Sequence, residues 1–280
     1  MTTTLRPTGP ERTDDQGGRE RAYAICVNGR AVGAVRVRAD ADGIGEIADL
    51  AVEEQGRGRG RGTTAVLAVE EILRGWGCPR VEGVVVGEEG DPTVARLLRW
   101  AQSLGYVPAA RNMVKTLPAT PPELPAGLSA RPLTAAEFPA WRDSRNAGYA
   151  QMLLRHAGLS PEQAEARSGA SHAQLLPQGL DTPDVSIQHL LAGDDVVGML
   201  WVRTAESPER PAWVFDVEVM EGFRGHGYGR ALMLLAERVT LVAGRDRLGL
   251  NVHAGNTPAE RLYESLGYRT YRWAFAKPLS

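Results

Sequence analysis

Short apolar runs at Arg21–Val27 and Ala31–Arg38 read as strands, and Asn28-Gly29 between them is a hairpin signal. Ile44–Val52 reads as a third strand. The period then changes. Val66, Val69, Leu73 and Trp76 recur at 3-4-3 spacing, which places them on one face of a helix over Gly62–Trp76 that Gly77 stops. Arg80–Val86 has the pattern of a buried strand, and Asp91-Pro92 opens another helix as N-cap and first residue. The same order returns further on. Strands are expected at Ser186–Ala192, Val196–Val202 and Ala212–Val219, then a helix to Ala243, a strand at Arg247–Val252 and a helix from Thr257-Pro258. Only the second series has extra helical stretches, at Ala135–Asn146 and Ser160–Leu176.

The repetition extends to individual residues. Arg57-Gly-Arg-Gly60-Arg-Gly62 and Arg224-Gly-His-Gly227-Tyr-Gly229 lie 167 residues apart, and the same offset brings Glu70 onto Glu237, Gly77 onto Gly244 and Arg80 onto Arg247. Leu104-Gly-Tyr106 matches Leu266-Gly-Tyr268 at an offset of 162. A period this long means a duplicated domain rather than a solenoid. Between the copies, Leu117–Gly127 has four prolines in eleven residues, as suits a semi-rigid extended spacer. The expectation is an α/β (α+β) chain with domains at 1–117 and 128–280 and a Pro-rich linker at 118–127. Each domain is a mixed, mostly antiparallel sheet flanked by helices.

A glycine-rich loop between a strand and a helix offers backbone N–H groups at the positive end of the helix, where phosphate binds. Arg57 and Arg224 enter the two loops and add charge. Neither copy carries the Lys-Ser/Thr of a P-loop. The G-x-G-x-G spacing after antiparallel strands also disfavours a dinucleotide fingerprint.

Val219-Met-Glu-Gly-Phe-Arg224-Gly-His-Gly227-Tyr-Gly229-Arg-Ala231 resembles motif A of the GNAT superfamily of N-acetyltransferases. Asn256-Thr-Pro-Ala259-Glu-Arg-Leu262-Tyr263-Glu-Ser-Leu-Gly267-Tyr268 is similar to its motif B. Val52-Glu-Glu-Gln-Gly-Arg57-Gly-Arg-Gly60-Arg-Gly62 resembles motif A again, so the first half looks like a degenerate copy, in a tandem layout similar to that of the mycothiol synthases.

The resemblance implies that acetyl-CoA is the co-substrate. Its pyrophosphate would lie on the amides of Arg224–Arg230, a stretch that includes Gly225, Gly227, Tyr228 and Gly229. The pantetheine arm would run along Val217–Val219, with Asn256 fixing its end. Tyr263 would protonate the departing thiolate, a task a phenol of pKa about 10 can perform at neutral pH. Val52, Arg57, Gly58, Gly60 and Gly62 outline a vestigial or second CoA site. The span Val94–Ala101 contains no tyrosine, serine or cysteine, so the first half is expected not to catalyse. Two registers are open there: Tyr263 falls on Ala101 if the helix C-termini are aligned and on Leu97 if the prolines are.

The general base is a separate question. Relatives place a glutamate early in the strand before motif A, but the equivalent position is close to Trp213. Asp216 and Glu218 share one face of that strand at i, i+2, and are candidates for the base or for an ammonium anchor, against a solvated strand face or salt bridges as the alternative. His253 is the other candidate, and His226 is expected to point out from the loop. Ala135–Leu176 and the loop around Gly179–Asp184 should form the acceptor pocket, lined by Trp141, Arg142, Tyr149, Met152 and His156 or else packed by them as core.

Composition narrows the function classes. The chain has 280 residues, 32 basic and 34 acidic side chains, a formal net charge of −2 and two cysteines. This balance argues against a nucleic-acid binder, a disulfide scaffold and a cysteine-based metal site. The N-terminus has no apolar signal core, and no apolar run is long enough to span a membrane. The reading is a cytoplasmic monomer or homodimer without metal, membrane or nucleic-acid partners. Its C-terminal domain would acetylate a primary amine of a small-molecule or peptide acceptor by direct attack. The alternatives are a non-catalytic acyl-CoA-binding or regulatory protein and, more distantly, an Arg-Gly contact to RNA.

Overall fold

The computed structural model describes residues 2–157, 159–205, 207 and 210–279, without the side chains of His156 and Ala157. The side chain of His156, a candidate pocket residue, therefore lies outside what is described. The first repeat runs β1 (Thr3–Pro7), β2 (Arg12–Thr13), β3 (Arg19–Val27), β4 (Arg30–Ala39), β5 (Ile44–Val52), α1 (Arg61–Gly75), β6 (Arg80–Val86), α2 (Pro92–Ser103) and β7 (Val107–Thr116). The second runs β8 (Leu128–Pro132), α3 (Phe138–Ala157), α4 (Pro161–Leu175), β9 (Val185–Ala192), β10 (Asp195–Arg203) and β11 (Ala212–Val219). It ends with α5 (Tyr228–Val242), β12 (Arg247–His253), α6 (Thr257–Ser265) and β13 (Arg269–Pro278). Helix α3 starts three residues later than its apolar pattern suggests and continues well past Asn146.

Contacts divide the chain into two compact units, and neither is one continuous stretch. Unit 1 is Met1–Ala109 with Met152–Gln163 and Arg272–Ser280, and unit 2 is Ala110–Gln151 with Ala164–Tyr271. The last strand of each repeat thus belongs largely to the unit built from the other repeat. Unit 1 has the strand order β1-β3-β4-β5-β6-β13, with β2 on β3, and unit 2 has β7-β12-β11-β10-β9-β8. In each, one pair is parallel, β5 with β6 and β11 with β12.

The exchange is in register. Lys115 of β7 lies opposite Leu248 of β12, and Lys277 of β13 lies opposite Val81 of β6. The exchanged strands carry core residues. Met113 is fully buried beside Leu232, Leu248 and Leu250 in unit 2, and Phe275 packs with Val69, Leu73 and Val81 in unit 1. Truncating Met113 to Ala should therefore cost about 2–5 kcal/mol.

Each exchanged strand also brings a lysine to a buried carboxylate. Glu70 of α1 accepts from Lys277 Nζ at 2.8 and 3.0 Å and from the Tyr106 hydroxyl at 3.0 Å. Lys115 Nζ lies 2.7 Å from Glu237 of α5 and 5.7 Å from the centre of the Tyr268 ring. Both glutamates are 2% exposed or less. A carboxylate buried this deeply is tolerable only when paired and hydrogen-bonded.

Candidate active site

The parallel pairs are short, and that creates the site. Strands β11 and β12 pair only over Ala212–Val214 with Leu248–Leu250 and then part. A bulge at Phe215, between the pairs Trp201↔Asp216 and Val202↔Val214, bends β11 where it diverges. Met220 N–H donates to Val197 at 3.0 Å, which sets the ladder phase. Residues 218 and 220 direct their main-chain groups to β10, so those of Val217 and Val219 face the opened edge. Gly198 is required beside this stretch, because a Cβ there would come within 2.7 Å of the Glu218 carbonyl oxygen.

Past the strand, a turn of 3-10 helix at Glu221–Phe223 leads into the glycine loop. Gly225 and Gly227 both have φ +84, a conformation that L side chains rarely adopt, and Gly227 caps α5. Among the described residues, the amides of Gly225 to Gly229 have no acceptor, which leaves five N–H groups open where the loop enters α5. Arg224 and Arg230 are exposed beside them, Arg230 hydrogen-bonding Ser265 at 2.6 Å. His226 is exposed but tethered: its Nδ1–H donates to the carbonyls of Phe223 and Arg224 at 3.2 and 3.0 Å.

Tyr263 projects from α6 into the unit 2 core and is 6% exposed. Burial, with the nearby Asp216 charge, pushes its phenol up to about 12. Among the described residues its hydroxyl has no hydrogen-bond partner. The side-chain oxygen of Asn256 caps α6 by accepting from Ala259 N–H at 3.4 Å, so this candidate cofactor residue also has a local structural task.

Asp216 and Glu218 are not free. Arg145 of α3 places Nη1 2.8 Å from Asp216 Oδ2 and 2.8 Å from Glu218 Oε2. Burial works against the Arg145 charge, but the bonds and charges of the two carboxylates outweigh it and its pKa is raised. The salt-bridge alternative therefore describes this state, leaving one net negative charge in the cluster. Arg145 was invisible in the sequence because it lies 71 residues from Asp216 on a helix with weak amphipathic patterning.

The expected pocket-lining stripe separates. Trp141 is buried, 5.4 Å from Trp201 and 5.7 Å from Phe138, and is core. Arg142 is exposed and pairs with Asp143, while Tyr149 meets the edge of His172 at 6.0 Å. Met152 falls in unit 1. His253 is the exposed last residue of β12, opposite Ala110. Trp213 packs against Gly249.

Unit 1 repeats the frame. Strands β5 and β6 pair only over Ile44–Ile47 with Arg80–Gly83, and β4–β5 carries a register shift at the matching place. A Cβ on Gly33 would collide with the Ala51 carbonyl, as on Gly198 in unit 2. Gly58 and Gly60 have φ +70 and +74, and the amides of Gly58 to Gly62 have no acceptor among the described residues.

The differences lie around that frame. Arg57 Nε donates to the Val52 carbonyl at 2.9 Å, taking the group equivalent to Val219 O. Trp100 lies over Gly62 and donates to Thr63 Oγ1 at 3.0 Å. The helix registers are settled by matching C-caps. Tyr106 N–H bonds the Ala101 carbonyl and Tyr268 N–H bonds the Tyr263 carbonyl, so Ala101 stands where Tyr263 does and Val94 where Asn256 does.

The profile described as "Acetyltransferase (GNAT) family" matches residues 3–106 and again 158–268. The mycothiol acetyltransferase of Frankia casuarinae is 27% identical over 283 aligned positions, covering 94% of this chain and 78% of that protein. The uncharacterised N-acetyltransferase YycN of Bacillus subtilis is 29% identical over 150 positions, 53% of this chain and 96% of its own length. Two solved structures share the fold. A GCN5-related N-acetyltransferase from Sphaerobacter thermophilus has a TM-score of 0.61 at 22% identity, covering 92% of this chain and 80% of that one. A tandem GNAT protein from the clavulanic acid biosynthesis pathway has 0.53 at 19%, covering 94% and 84%. No helix among the described residues is long and apolar enough to cross a membrane. With its family profile matched twice in one chain, the protein belongs to the GNAT family and is a tandem acetyltransferase.

Proposed function

We propose that unit 2 carries catalysis and transfers the acetyl group of acetyl-CoA to a primary amine of a small-molecule or peptide acceptor. The amides of Gly225 to Gly229, with Arg224 and Arg230, hold the pyrophosphate. The outward main chain of Val217 and Val219 holds the pantetheine arm, which Asn256 steadies. Acetyl-CoA supplies an activated thioester carbonyl. The acceptor nitrogen adds directly to the carbonyl to form the C–N bond, and the C–S bond breaks as the tetrahedral intermediate collapses, with Tyr263 giving its proton to the departing sulfur. The amide near Val219 faces the developing oxyanion. Asp216 and Glu218, carrying one net negative charge with Arg145, attract the acceptor ammonium and take up its proton through water.

The observation that carries this reading is Tyr263 against Ala101. Two units share one frame, and only unit 2 has an ionisable hydroxyl at this position of the helix that follows the parallel pair. A phenol pushed up to about 12 stays protonated at neutral pH, as a proton donor must. Thiol release from acetyl-CoA over a panel of primary amines tests the reaction. Tyr263→Phe should lower kcat by about 100-fold, and undiminished turnover would remove Tyr263 from the mechanism.

A further inference from the structure

The strand that the first repeat supplies to unit 2 reaches the helix carrying the acid. Arg111 of β7 places Nη2 3.3 Å from Glu260 and 3.1 Å from Glu264, three residues before Tyr263 and one after it. The Arg111 side chain is 21% exposed, and its Nε is buried without a hydrogen-bond partner among the described residues. Helix α6 has nine residues, too few to be stable alone, so contacts outside the helix must fix its position. Tyr263, Leu262 and Ala259 seat its apolar side. Arg111 ties its polar side to β7, which pairs with β12 over seven residues.

Among the described residues, unit 1 has no ion pair at the equivalent place. In β13 the position equivalent to Arg111 is Trp273, and Leu98 and Gln102 stand where unit 2 has Glu260 and Glu264. The lysine–glutamate pair is common to both units, whereas among the described residues the arginine pin occurs beside the tyrosine and not at its counterpart. Trp273 and Leu98 both pack against the unit 1 core, so α2 is held there by apolar contact, and the charged tie is particular to the helix that carries Tyr263.

We infer that Arg111 is a positioning residue for the acid of unit 2, holding α6 so that the Tyr263 hydroxyl meets the leaving sulfur. This rests on the acid role proposed for Tyr263. A displacement of about 1 Å at a reacting group can cost up to 100-fold in rate, whereas an ion pair this close to solvent contributes little to stability.

The test is a double-mutant cycle with acetyl-CoA and whichever amine of the panel is turned over. Arg111→Met should lower kcat about tenfold with KM for acetyl-CoA changed less than about twofold, and Arg111→Lys should recover most of the loss. Arg111→Met added to Tyr263→Phe should cause no further loss, because the pin acts only through the phenol. Equal loss in both backgrounds, or full activity of Arg111→Met where Tyr263→Phe is slow, overturns the inference and leaves the acid assignment standing. Full activity of Tyr263→Phe overturns both. Hydrogen exchange needs no acceptor: Arg111→Met should speed exchange of the α6 amides, and unchanged protection there counts against the pin.

Discussion

Unit 1 and unit 2 have the same parted strands, the same left-handed glycines and the same buried glutamate, yet they differ at nearly every side chain that would touch a thioester. Val52 O is occupied by Arg57, Ala101 replaces Tyr263, and Leu98 and Gln102 replace the two carboxylates that Arg111 meets. The retained features also have structural work. Gly60 and Gly227 turn the chain into α1 and α5, Gly33 and Gly198 make room for the facing carbonyls, and the glutamates hold the exchanged strands. At Tyr263, the residue proposed to serve chemistry, the units diverge. The glycine loop, common to both, therefore does not separate the proposed working site from its copy, whereas the tyrosine on the following helix does.

The largest expected effect tests the likeness. Lys115→Met and Lys277→Met each leave a glutamate of 2% exposure or less without its cation. Each should cost about 3–5 kcal/mol in denaturant unfolding. Adding Glu237→Leu to the first, or Glu70→Leu to the second, should recover much of the loss. A large cost at one lysine and none at the other would break the equivalence of the two clamps.

A smaller effect tests the difference. Gly227→Glu and Gly60→Glu introduce the same charge at φ +84 and +74, so the backbone cost is nearly matched and cancels in the comparison. Isothermal titration with acetyl-CoA should show binding that supports turnover falling by about 30-fold or more in Gly227→Glu. Gly60→Glu should leave kcat and KM unchanged. The reverse pattern would move the working site to unit 1.

Much of this was legible because the signals are local. The Asn28-Gly29 turn, the 3-4-3 stripe of α1, the Asp91-Pro92 cap and the spacing from the glycine loop to Tyr263 each occupy one short window. The strand exchange was not legible, for a specific reason. Lys115 and Lys277 occupy equivalent places in the two terminal strands, so either lysine suits either glutamate, and strand patterning does not name its partner. The register of α2 stayed open until the C-cap hydrogen bonds at Tyr106 and Tyr268 fixed it. Arg111 and Arg145 act on helices and strands far away in sequence, and no periodicity announces them. Asp216 and Glu218 stood out as carboxylates on one strand face, but their counter-ion did not.

The smallest effect at working pH separates Tyr263 from the other buried tyrosines. Tyr106 and Tyr268 are raised by burial and then by Glu70 and Glu237, whereas Tyr263 is raised by burial with only the Asp216 charge in addition, to about 12. A phenol whose folded pKa exceeds its unfolded value of about 10 binds its proton more tightly in the folded state. Its stabilising contribution is complete below pH 10 and is lost as pH rises from there through about 12. The ultraviolet tyrosinate titration of the protein, minus that of Tyr263→Phe, should therefore show a single ionisation near 12. Activity should show no alkaline loss attributable to this phenol below pH 10. A difference step near pH 10 would mean a solvated hydroxyl, and burial would then not be what sets Tyr263 apart.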